Sequence, residues 1–416
     1  MAPHLESVTA LLASNCTLRC GYCYQRPSGS QVMPWSALRR SLDVLLASPS
    51  PSVTVEFSGG EALLAFPLIE RAVRYVERAR GTRDVRYELT TNGTLLDPER
   101  LEFLDVHGFV VRLSYHPVPG ARGRGNQAVF RRLDRVLDQL RGHGALWRER
   151  LHLSVTVGPR ELAHLAQTVR YLMRKEVLDI GLSPAFGLPG GRVGDVARIE
   201  RQFDRISRMV DECRRRSGRV PLSLYRRSVE ESATSPLDLR CDGARGAAVA
   251  VDPTGQAWGC VMLAGTRPAP ATTGAADGAL RLAASSPLWR FALGDVREEG
   301  FARRLRSCAS RVARTGLFPG RRAQRSSHAR CGACRFLASC PVCPVANAFG
   351  PEAADGGRVS DFVCAFTRVS QRHAERSPRG PSLVDRLSGR APVPGLVRDL
   401  RRHAQRTRGV TGRRAT

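Results

Sequence analysis

Apolar residues in the first half of the chain follow two alternating patterns. Short runs rich in β-branched and aromatic residues predict strands, and apolar residues spaced three or four positions apart predict helices. The predicted strands are the run before Cys16, Val53–Phe57, Val85–Thr90, Phe109–Ser114, Leu151–Val157 and Leu178–Ser183. The predicted helices are Ser36–Ala47, Phe66–Arg78, Pro98–Val106, Ala128–Arg141 and Arg160–Arg174. This alternation predicts an α/β fold with a parallel sheet, either a partial (β/α)6 TIM-like barrel or a doubly wound sheet.

The second half of the chain has a different pattern. A charged helix is predicted at Arg198–Arg216, followed by a linker. The stretch AAVAVDPTGQAWGCVM predicts a β-hairpin with its turn at Asp252–Gly255, and a further helix is predicted at Phe301–Ala313. We therefore expect four regions: a barrel over 1–190, a helical linker over 191–235, a cysteine-rich domain over 236–375 and a basic tail over 376–416.

Short polar motifs follow the first four predicted strands. In chain order they are SNC, SGGE, TTNGT and SYH. Ligands of parallel α/β folds gather at the carboxyl ends of the strands. The four motifs therefore predict one ligand site at that edge of the sheet.

Composition limits the class of protein. The 416 residues contain no apolar run of about 18 residues, so no transmembrane helix is expected. The first residues lack the basic segment of an export signal, which predicts a reducing cytoplasm. There the 12 cysteines are expected to be metal ligands and not disulfides.

The net charge of +27 comes almost entirely from arginine. Lys175 is the single lysine among 65 basic residues, a bias that a GC-rich genome produces through codon usage. The charge is therefore a weak indication of an acidic partner. Nucleic acid is disfavoured as the partner, because aromatic residues make up only 6% of the chain and no recognition motif is present.

Three cysteines lie within eight residues in the segment SNCTLRCGYCYQ. They are Cys16, Cys20 and Cys23, with Tyr22 before the last. A tetrahedral zinc site takes four protein ligands, or three with a water, and a four-iron cluster usually takes four cysteines. Three thiolates therefore leave one metal position for another ligand.

This C-x3-C-x2-C pattern, together with the GGE and TNG segments downstream, resembles the signature of radical S-adenosylmethionine (SAM) enzymes. The resemblance implies that the three thiolates hold a [4Fe–4S] cluster whose fourth iron position binds SAM. One electron from the cluster then cleaves SAM to methionine and a 5′-deoxyadenosyl radical, which abstracts a substrate hydrogen. The protein supplies binding and orientation for this chemistry.

The same resemblance implies which residues contact SAM. The GGE segment lies on the methionyl amine, and Ser114 and an arginine of the ARGRG segment supply polar contacts. The expected SAM contacts are Tyr22, Gly59, Gly60, Glu61, Asn92, Ser114 and Arg124. The chain departs from the family at His116, where an Asp is common, and at Ala62, where a Pro is common.

Seven further cysteines resemble the SPASM domain, a C-terminal extension of many radical SAM enzymes that holds two auxiliary iron–sulfur clusters. The match spans about residues 236 to 370 and includes a G-x4-C segment ending at Cys260. Cys340 and Cys343 are separated by two residues where three is usual. Zinc binding by the run 331–343 is the alternative. The resemblance assigns Cys331, Cys334, Cys340 and Cys364 to an outer cluster and Cys241, Cys260 and Cys343 to an inner one.

The inner cluster is thus expected to have three thiolates. Some family members have an extra cysteine shortly after the first, but here that segment is DGARGA. Cys213 and Cys308 match no family position, although Cys308 is a candidate fourth ligand. Val261 replaces an Asp that serves as a proton acceptor in sulfatase-maturating relatives, which argues against alcohol oxidation through that base.

The resemblance implies an oxidoreductase with three [4Fe–4S] clusters, SAM and an electron donor of the flavodoxin or ferredoxin type. A ribosomally made precursor peptide, modified by crosslinking or another oxidation in natural-product biosynthesis, is the expected substrate. The alternative is a small-molecule dehydrogenase that acts on an aminocyclitol or sugar. A non-catalytic iron–sulfur or nucleic-acid-binding protein is disfavoured by the SAM motifs.

Overall fold

A computed structural model gives the fold of the chain. It describes residues 4–23, 25, 29–115, 124–186, 195–226, 241–265, 267–268, 281–282, 286–315, 322–337, 340, 343–347 and 358–376. The basic tail predicted over 376–416 lies outside these residues except for its first one.

A nine-stranded sheet forms the centre of the molecule. Its strands are β1 (Ser7–Ala13), β2 (Ser52–Gly59), β3 (Asp84–Thr91), β4 (Val110–Ser114), β5 (Leu151–Val157), β6 (Ile180–Pro184), β7 (Ala248–Val251), β8 (Gln256–Trp258) and β11 (Ala292–Asp295). Two-residue strands form two small ribbons, β9 (Arg267–Pro268) with β10 (Arg281–Leu282) and β12 (Arg325–Ser326) with β13 (Ala329–Arg330).

Helices connect the strands of the first half and cover the sheet. They are α1 (Trp35–Leu46), α2 (Phe66–Ala79), α3 (Pro98–Val106), α4 (Arg124–Gly142), α5 (Leu165–Arg174) and α6 (Asp195–Ser217). The second half adds α7 (Asp242–Arg245), α8 (Phe301–Arg306), α9 (Cys308–Ala313), α10 (Pro344–Asn347) and α11 (Asp361–Arg376). None of the helices in these described segments is both long and apolar enough to cross a membrane.

Strands β1 to β6 lie side by side in chain order and are all parallel. A doubly wound sheet would reverse its order at a switch point, so the partial-barrel alternative is confirmed and the doubly wound one is wrong. Buried residues alternate with partly exposed ones along β5, where Leu151 and Leu153 are buried. The apolar face packs on the helices, and the other face is left for polar side chains.

The hairpin of the second half extends the same sheet. Strand β7 pairs in parallel with β1, and β8 pairs antiparallel with both β7 and β11. The hairpin itself agrees with the sequence prediction, because Asp252 accepts hydrogen bonds from the turn at Thr254 and Gly255. As a result, the hairpin continues the sheet beyond β1, on the side opposite β2.

Two helices of the second half differ from their predicted form. The helix predicted at Phe301–Ala313 is divided at Ser307 into α8 and α9. Helix α11 was not predicted, although Phe362, Phe366 and Val369 lie three to four residues apart on its buried face. That stripe packs against α6, and the contact ties the end of the described chain to the barrel side.

Candidate functional site

A cavity of about 280 Å³ lies at the carboxyl ends of the six parallel strands, as the motif positions predicted. We call it the strand-end cavity. Its walls come from the cysteine loop after β1, from the ends of β2 to β6 and from one residue beyond β8. The residues that line it are Cys16, Leu18, Cys20, Tyr22, Cys23, Gln25, Ser58, Gly59, Gly60, Thr90, Thr91, Asn92, Ser114, Thr156, Ser183, Pro184, Ala185, Phe186 and Met262.

The GGE segment packs directly against the segment that leads into the cysteine loop. The Gly60 amide donates to the Ala13 carbonyl at 2.8 Å, and the Glu61 amide donates to the Asn15 carbonyl at 3.0 Å. A Cβ on Gly60 would lie 2.1 Å from the Asn15 carbonyl oxygen, and one on Gly59, whose φ is +135°, would lie 2.7 Å from that of Ala13. Both glycines line the cavity, but the packing of the two backbones is by itself a sufficient reason for their lack of side chains.

Glu61 is buried and does not line the strand-end cavity. Its carboxylate accepts hydrogen bonds from the Thr91 hydroxyl at 2.6 Å, the Asn92 amide at 2.8 Å and the Leu63 amide at 3.1 Å. Burial raises the pKa of Glu61, and these three donors oppose that shift. The side chain therefore joins the end of β2 to the end of β3, and the SAM contact of Glu61 stays a prediction.

Asn92 touches the cysteine loop directly. Its side-chain amide donates to the Cys16 sulfur at 3.3 Å and to the Thr17 hydroxyl at 3.0 Å. Its carbonyl oxygen accepts from the Thr94 amide at 2.9 Å and from the Thr94 hydroxyl at 2.7 Å. Thr94 thus holds the Asn92 side chain in place, and Asn92 in turn orients Cys16. Residues that hydrogen-bond to metal ligands have this orienting function. The sequence indicated Asn92 but not Thr17 or Thr94.

The three cysteines of the loop are partly buried and form no disulfide. Burial raises the pKa of Cys16 and that of Cys20, while hydrogen bonds from Asn92 to Cys16 and from Tyr22 to Cys20 oppose the shift. Burial also raises the pKa of the Tyr22 hydroxyl, which therefore stays protonated and can donate to Cys20. A bound metal would replace the three thiol protons.

The other predicted SAM contacts divide into two groups. Ser114 lines the cavity beside Thr156 and Ser183, so three hydroxyls mark the ends of β4, β5 and β6. Arg124 is the first residue of α4, but its side chain lies outside the described part of the structure, and so does His116.

Cys241, Cys260 and Cys343 come together beside the hairpin. Cys260 follows β8, and its pKa is raised to about 12, first by burial and then by the neighbouring Cys343 and Cys241. Burial, with Cys343 nearby, also raises the pKa of Cys241. Met262, two residues after Cys260, lines the strand-end cavity. This cysteine group therefore lies next to that cavity.

Four other cysteines surround a separate, small cavity of about 30 Å³, here called the outer cysteine cavity. They are Cys331, Cys334, Cys340 and Cys364. The Ser326 hydroxyl donates to the Cys364 sulfur at 3.0 Å, and burial raises the pKa of Cys364 to about 11. The structure thus brings together the same four residues that the sequence assigned to the outer cluster, and it places Cys343 with the other group.

Cys308 is fully buried behind the inner cysteine group. Its sulfur lies 3.8 Å from the Gly243 carbonyl, and it would lie 2.8 Å from a Cβ on Gly259. Cys308 therefore packs against the backbones that carry Cys241 and Cys260, and burial raises its pKa to about 11.

The spacing of the sulfurs bears on the zinc alternative. Zn–S bonds of about 2.3 Å in a tetrahedron place the sulfurs about 3.8 Å apart. Within the described residues, no three cysteine sulfurs lie within 4.8 Å of one another. Among the described residues, the cysteine sulfurs are therefore spaced more widely than the sulfurs of a tetrahedral zinc site.

A comparison with protein families matches part of the first half of the chain. Residues 11–118 match the family model described as the radical SAM superfamily. The chain carries a radical SAM domain. The matched range of this domain contains the cysteine loop, the GGE segment, Asn92 and Ser114. A cysteine-rich C-terminal region follows it.

Two curated relatives each align with about a quarter of the chain. The chain is 28% identical over 109 residues to the uncharacterized protein MJ0907 of Methanocaldococcus jannaschii, covering 26% of this chain and 38% of the relative. It is 22% identical over 128 residues to the radical SAM cyclopropyl synthase TigE of Paramaledivibacter caminithermalis, covering 27% of each chain. The alignments therefore span well under two thirds of these relatives.

Solved structures resemble the molecule over nearly its whole length. Native anSMEcpe with bound AdoMet and the Kp18Cys peptide has a TM-score of 0.65 at 15% identity, over 89% of this chain and 96% of that chain. A histidine-tagged form of anSMEcpe with bound AdoMet has a TM-score of 0.66 at 14% identity, over 96% and 99% of the two chains. At these identities the likeness is one of fold, and it extends beyond the radical SAM domain into the cysteine-rich region.

Proposed function

We propose that the chain is a radical SAM/SPASM enzyme that oxidatively modifies a ribosomally made peptide. The observation that supports this most strongly is the strand-end cavity, where three partly buried cysteines meet the glycine backbone of the GGE segment and the hydroxyls of three strand ends. This arrangement suits a metal cluster with one open position beside a polar organic cofactor.

Each part of the site has a separate task in this proposal. Cys16, Cys20 and Cys23 hold a [4Fe–4S] cluster, and Asn92 orients Cys16. When bound, the cluster and SAM supply a carbon-centred radical that removes a substrate hydrogen. Tyr22 donates to Cys20, and the Gly59 and Gly60 backbones with Ser114 form the polar wall toward SAM.

The two further cysteine groups would hold two auxiliary clusters. Cys331, Cys334, Cys340 and Cys364 surround one cavity, which suits a closed, four-thiolate cluster. The inner group supplies Cys241, Cys260 and Cys343. Cys308 is directed at the Gly243 carbonyl, which favours an inner cluster with three thiolates.

A peptide is favoured as the substrate. The solved structure of anSMEcpe holds AdoMet together with a peptide, and its fold covers 89% of this chain. Val261 leaves the position after the G-x4-C cysteine without a base, which disfavours the dehydrogenase alternative. Net oxidations such as crosslinking fit an enzyme whose auxiliary clusters accept electrons.

The first prediction concerns iron. Anaerobically reconstituted protein should bind about 12 irons per chain, since each [4Fe–4S] cluster contributes four. Changing Cys16, Cys20 and Cys23 together to Ala should remove about a third of the iron and all cleavage of SAM to 5′-deoxyadenosine, because only one of the three clusters loses its ligands. Iron analysis and chromatography of the nucleoside measure both effects.

A matched control is Cys213→Ala, on α6 and away from all three cysteine groups. This variant should retain its iron and its SAM cleavage. Stoichiometric zinc in place of iron, or full cleavage by the triple variant, would contradict the assignment.

The second prediction concerns the substrate. The enzyme is incubated with SAM, a reductant and the short peptide encoded beside its gene, and the mass of the peptide is measured. Each modification should remove two hydrogens and form 5′-deoxyadenosine in step. An unchanged peptide, with turnover of a sugar or cyclitol from the same gene cluster, would reject the peptide and favour the small-molecule alternative.

A further inference from the structure

A second cavity of about 230 Å³ lies between β5, β6 and α11. It shares the walls Ser183, Pro184 and Phe186 with the strand-end cavity, and it shares Thr367 with the outer cysteine cavity. The second cavity therefore adjoins the proposed reaction site on one side and the cysteine-rich region on the other. Its remaining lining residues are His152, Ser154, Gly181, Leu182, Ser223, Leu224, Phe366, Ser370 and Gln371.

His152 is held at this cavity by a buried charged pair. Its Nδ1 lies 2.8 Å from a carboxylate oxygen of Asp179, which is 4% exposed and forms an ion pair with Arg226. Arg226, also buried, donates to the Leu178 carbonyl at 2.8 Å and to the Val220 carbonyl at 3.1 Å. The Asp179 carboxylate can only accept, so Nδ1 carries the hydrogen of this contact and the ring orientation is fixed. The neutral ring then has an acceptor at Nε2, and the protonated ring has a second donor there, which is the form in which His152 would bind an anionic ligand.

Thr367 gives an independent indication that a ligand binds here. The residue is 3% exposed, and its hydroxyl oxygen is buried without a hydrogen-bond partner in the described structure. An unpaired buried hydroxyl is costly, and such groups usually mark a binding or strained site. The Ser223 and Ser370 hydroxyls already donate to backbone carbonyls, at 3.4 Å and 3.0 Å. Thr367 lies on the α11 wall at the boundary of the second cavity and the outer cysteine cavity, so its hydroxyl is a donor that a ligand at this boundary could satisfy.

The charge of the lining indicates which group would bind. Its polar residues are an imidazole, five hydroxyls and one amide, and no Asp or Glu is among the described residues that line it. The carboxylate of Asp179, which lies behind His152, is neutralised by Arg226. A substrate carboxylate would meet hydrogen-bond donors and an imidazole that can become positive, without a like charge on these walls.

We propose that the second cavity binds a carboxylate of the substrate peptide, with His152 and Thr367 as its donors. This inference rests on the proposed peptide substrate and adds to it a specificity-determining contact. His152 and Thr367 would position the peptide and take no part in the hydrogen abstraction.

The distance between the two cavities predicts how many peptide residues separate the bound carboxylate from the modified residue. His152, Ser154 and Thr156 lie on one face of β5, with His152 in the second cavity and Thr156 in the strand-end cavity. Four residues of a strand span about 13 Å. An extended peptide covers this distance in about four residues. The bound carboxylate should therefore lie roughly three to five residues from the modified residue, a distance that a single sugar or cyclitol does not span.

The test combines changes in enzyme and peptide. Each Asp and Glu of the peptide encoded beside the gene is replaced in turn by Asn or Gln, and kcat and KM are measured with wild-type enzyme, His152→Gln and Thr367→Val. One replacement, at the predicted spacing, should raise the KM of the wild type about tenfold with little change in kcat, as loss of a charge-assisted hydrogen bond does. His152→Gln should show a raised KM that the same replacement does not raise further.

Thr367→Val is a nearly isosteric second variant and should also raise the KM, because it removes only the unpaired hydroxyl. His164→Gln, an exposed histidine just before α5, is the matched control and should respond to the peptide replacement as the wild type does. Equal responses of wild type and His152→Gln would reject the carboxylate site and leave the peptide function intact. Cleavage of SAM with no conversion of any peptide would reject the proposed function, and the carboxylate site with it.

Discussion

Single residues determine how closely the GGE segment and the cysteine loop of the radical SAM domain can pack against each other. Gly60 lies against the Asn15 carbonyl with no room for a methyl group, and Glu61 ties the same segment to Thr91 and Asn92. Asn92 then reaches the Cys16 sulfur. The position of the first cysteine is therefore set by residues up to 76 positions away in the chain, which orient it before any metal binds.

A prediction at this scale is that Gly60→Ala disrupts the cysteine loop. The added Cβ would lie 2.1 Å from a backbone oxygen, so the loop must move. Overpacking of this kind costs about 1–3 kcal/mol of folding free energy. Thermal unfolding and the iron content of the reconstituted protein measure the effect.

The matched control for that substitution is Gly21→Ala, inside the cysteine loop itself. A Cβ there would meet no atom within 4 Å. Gly21→Ala should keep the stability and iron content of the wild type. Equal unfolding temperatures and iron contents of the two variants would show that the close backbone contact at Gly60 does not limit stability.

At the scale of elements, helix α11 connects three parts of the molecule. It carries Cys364 toward the outer cysteine cavity and Thr367 toward the boundary of that cavity and the second cavity. Near its end, His373 is 5% exposed and lies between Ser207 and Glu200 of α6, at 3.0 Å and 2.9 Å. The contact with α6 thus fixes the position of α11, which contributes lining residues to both cavities.

A prediction at this scale concerns His373→Ala. The change removes two partly buried hydrogen bonds between α11 and α6, each worth about 1 kcal/mol, and leaves a small cavity. The variant should unfold at a lower temperature and lose part of the iron attributed to the outer group, because Cys364 lies on the same helix. Calorimetry and iron analysis measure the two effects.

Arg376→Ala provides the comparison for that variant. Arg376 is exposed at the last turn of the same helix, so its removal should leave both the unfolding temperature and the iron content close to the wild type. If His373→Ala is as stable as Arg376→Ala, the contact between α6 and α11 does not fix the helix.

For the whole molecule, the sequence predicted the features that depend on local pattern. The six strands and the four strand-end motifs follow from periodicity over a few residues, and the structure places those motifs around one cavity. The role of Glu61 could not be predicted, because it depends on donors 30 residues away. The second cavity was missed for the same reason, since His152 and Thr367 come from opposite halves of the chain and meet only through the fold.

The pairing of β7 with β1 has a consequence for the order of folding during synthesis. One edge of strand β1 pairs with residues about 240 positions later in the chain, a contact between segments that are far apart in sequence. Until the hairpin has been translated, that edge presents unpaired amides and carbonyls, which invite association with other chains. A chain released before the hairpin has been translated would therefore have an unpaired sheet edge that favours aggregation. The hairpin that carries Cys260 then also acts as an internal cap for the nascent sheet.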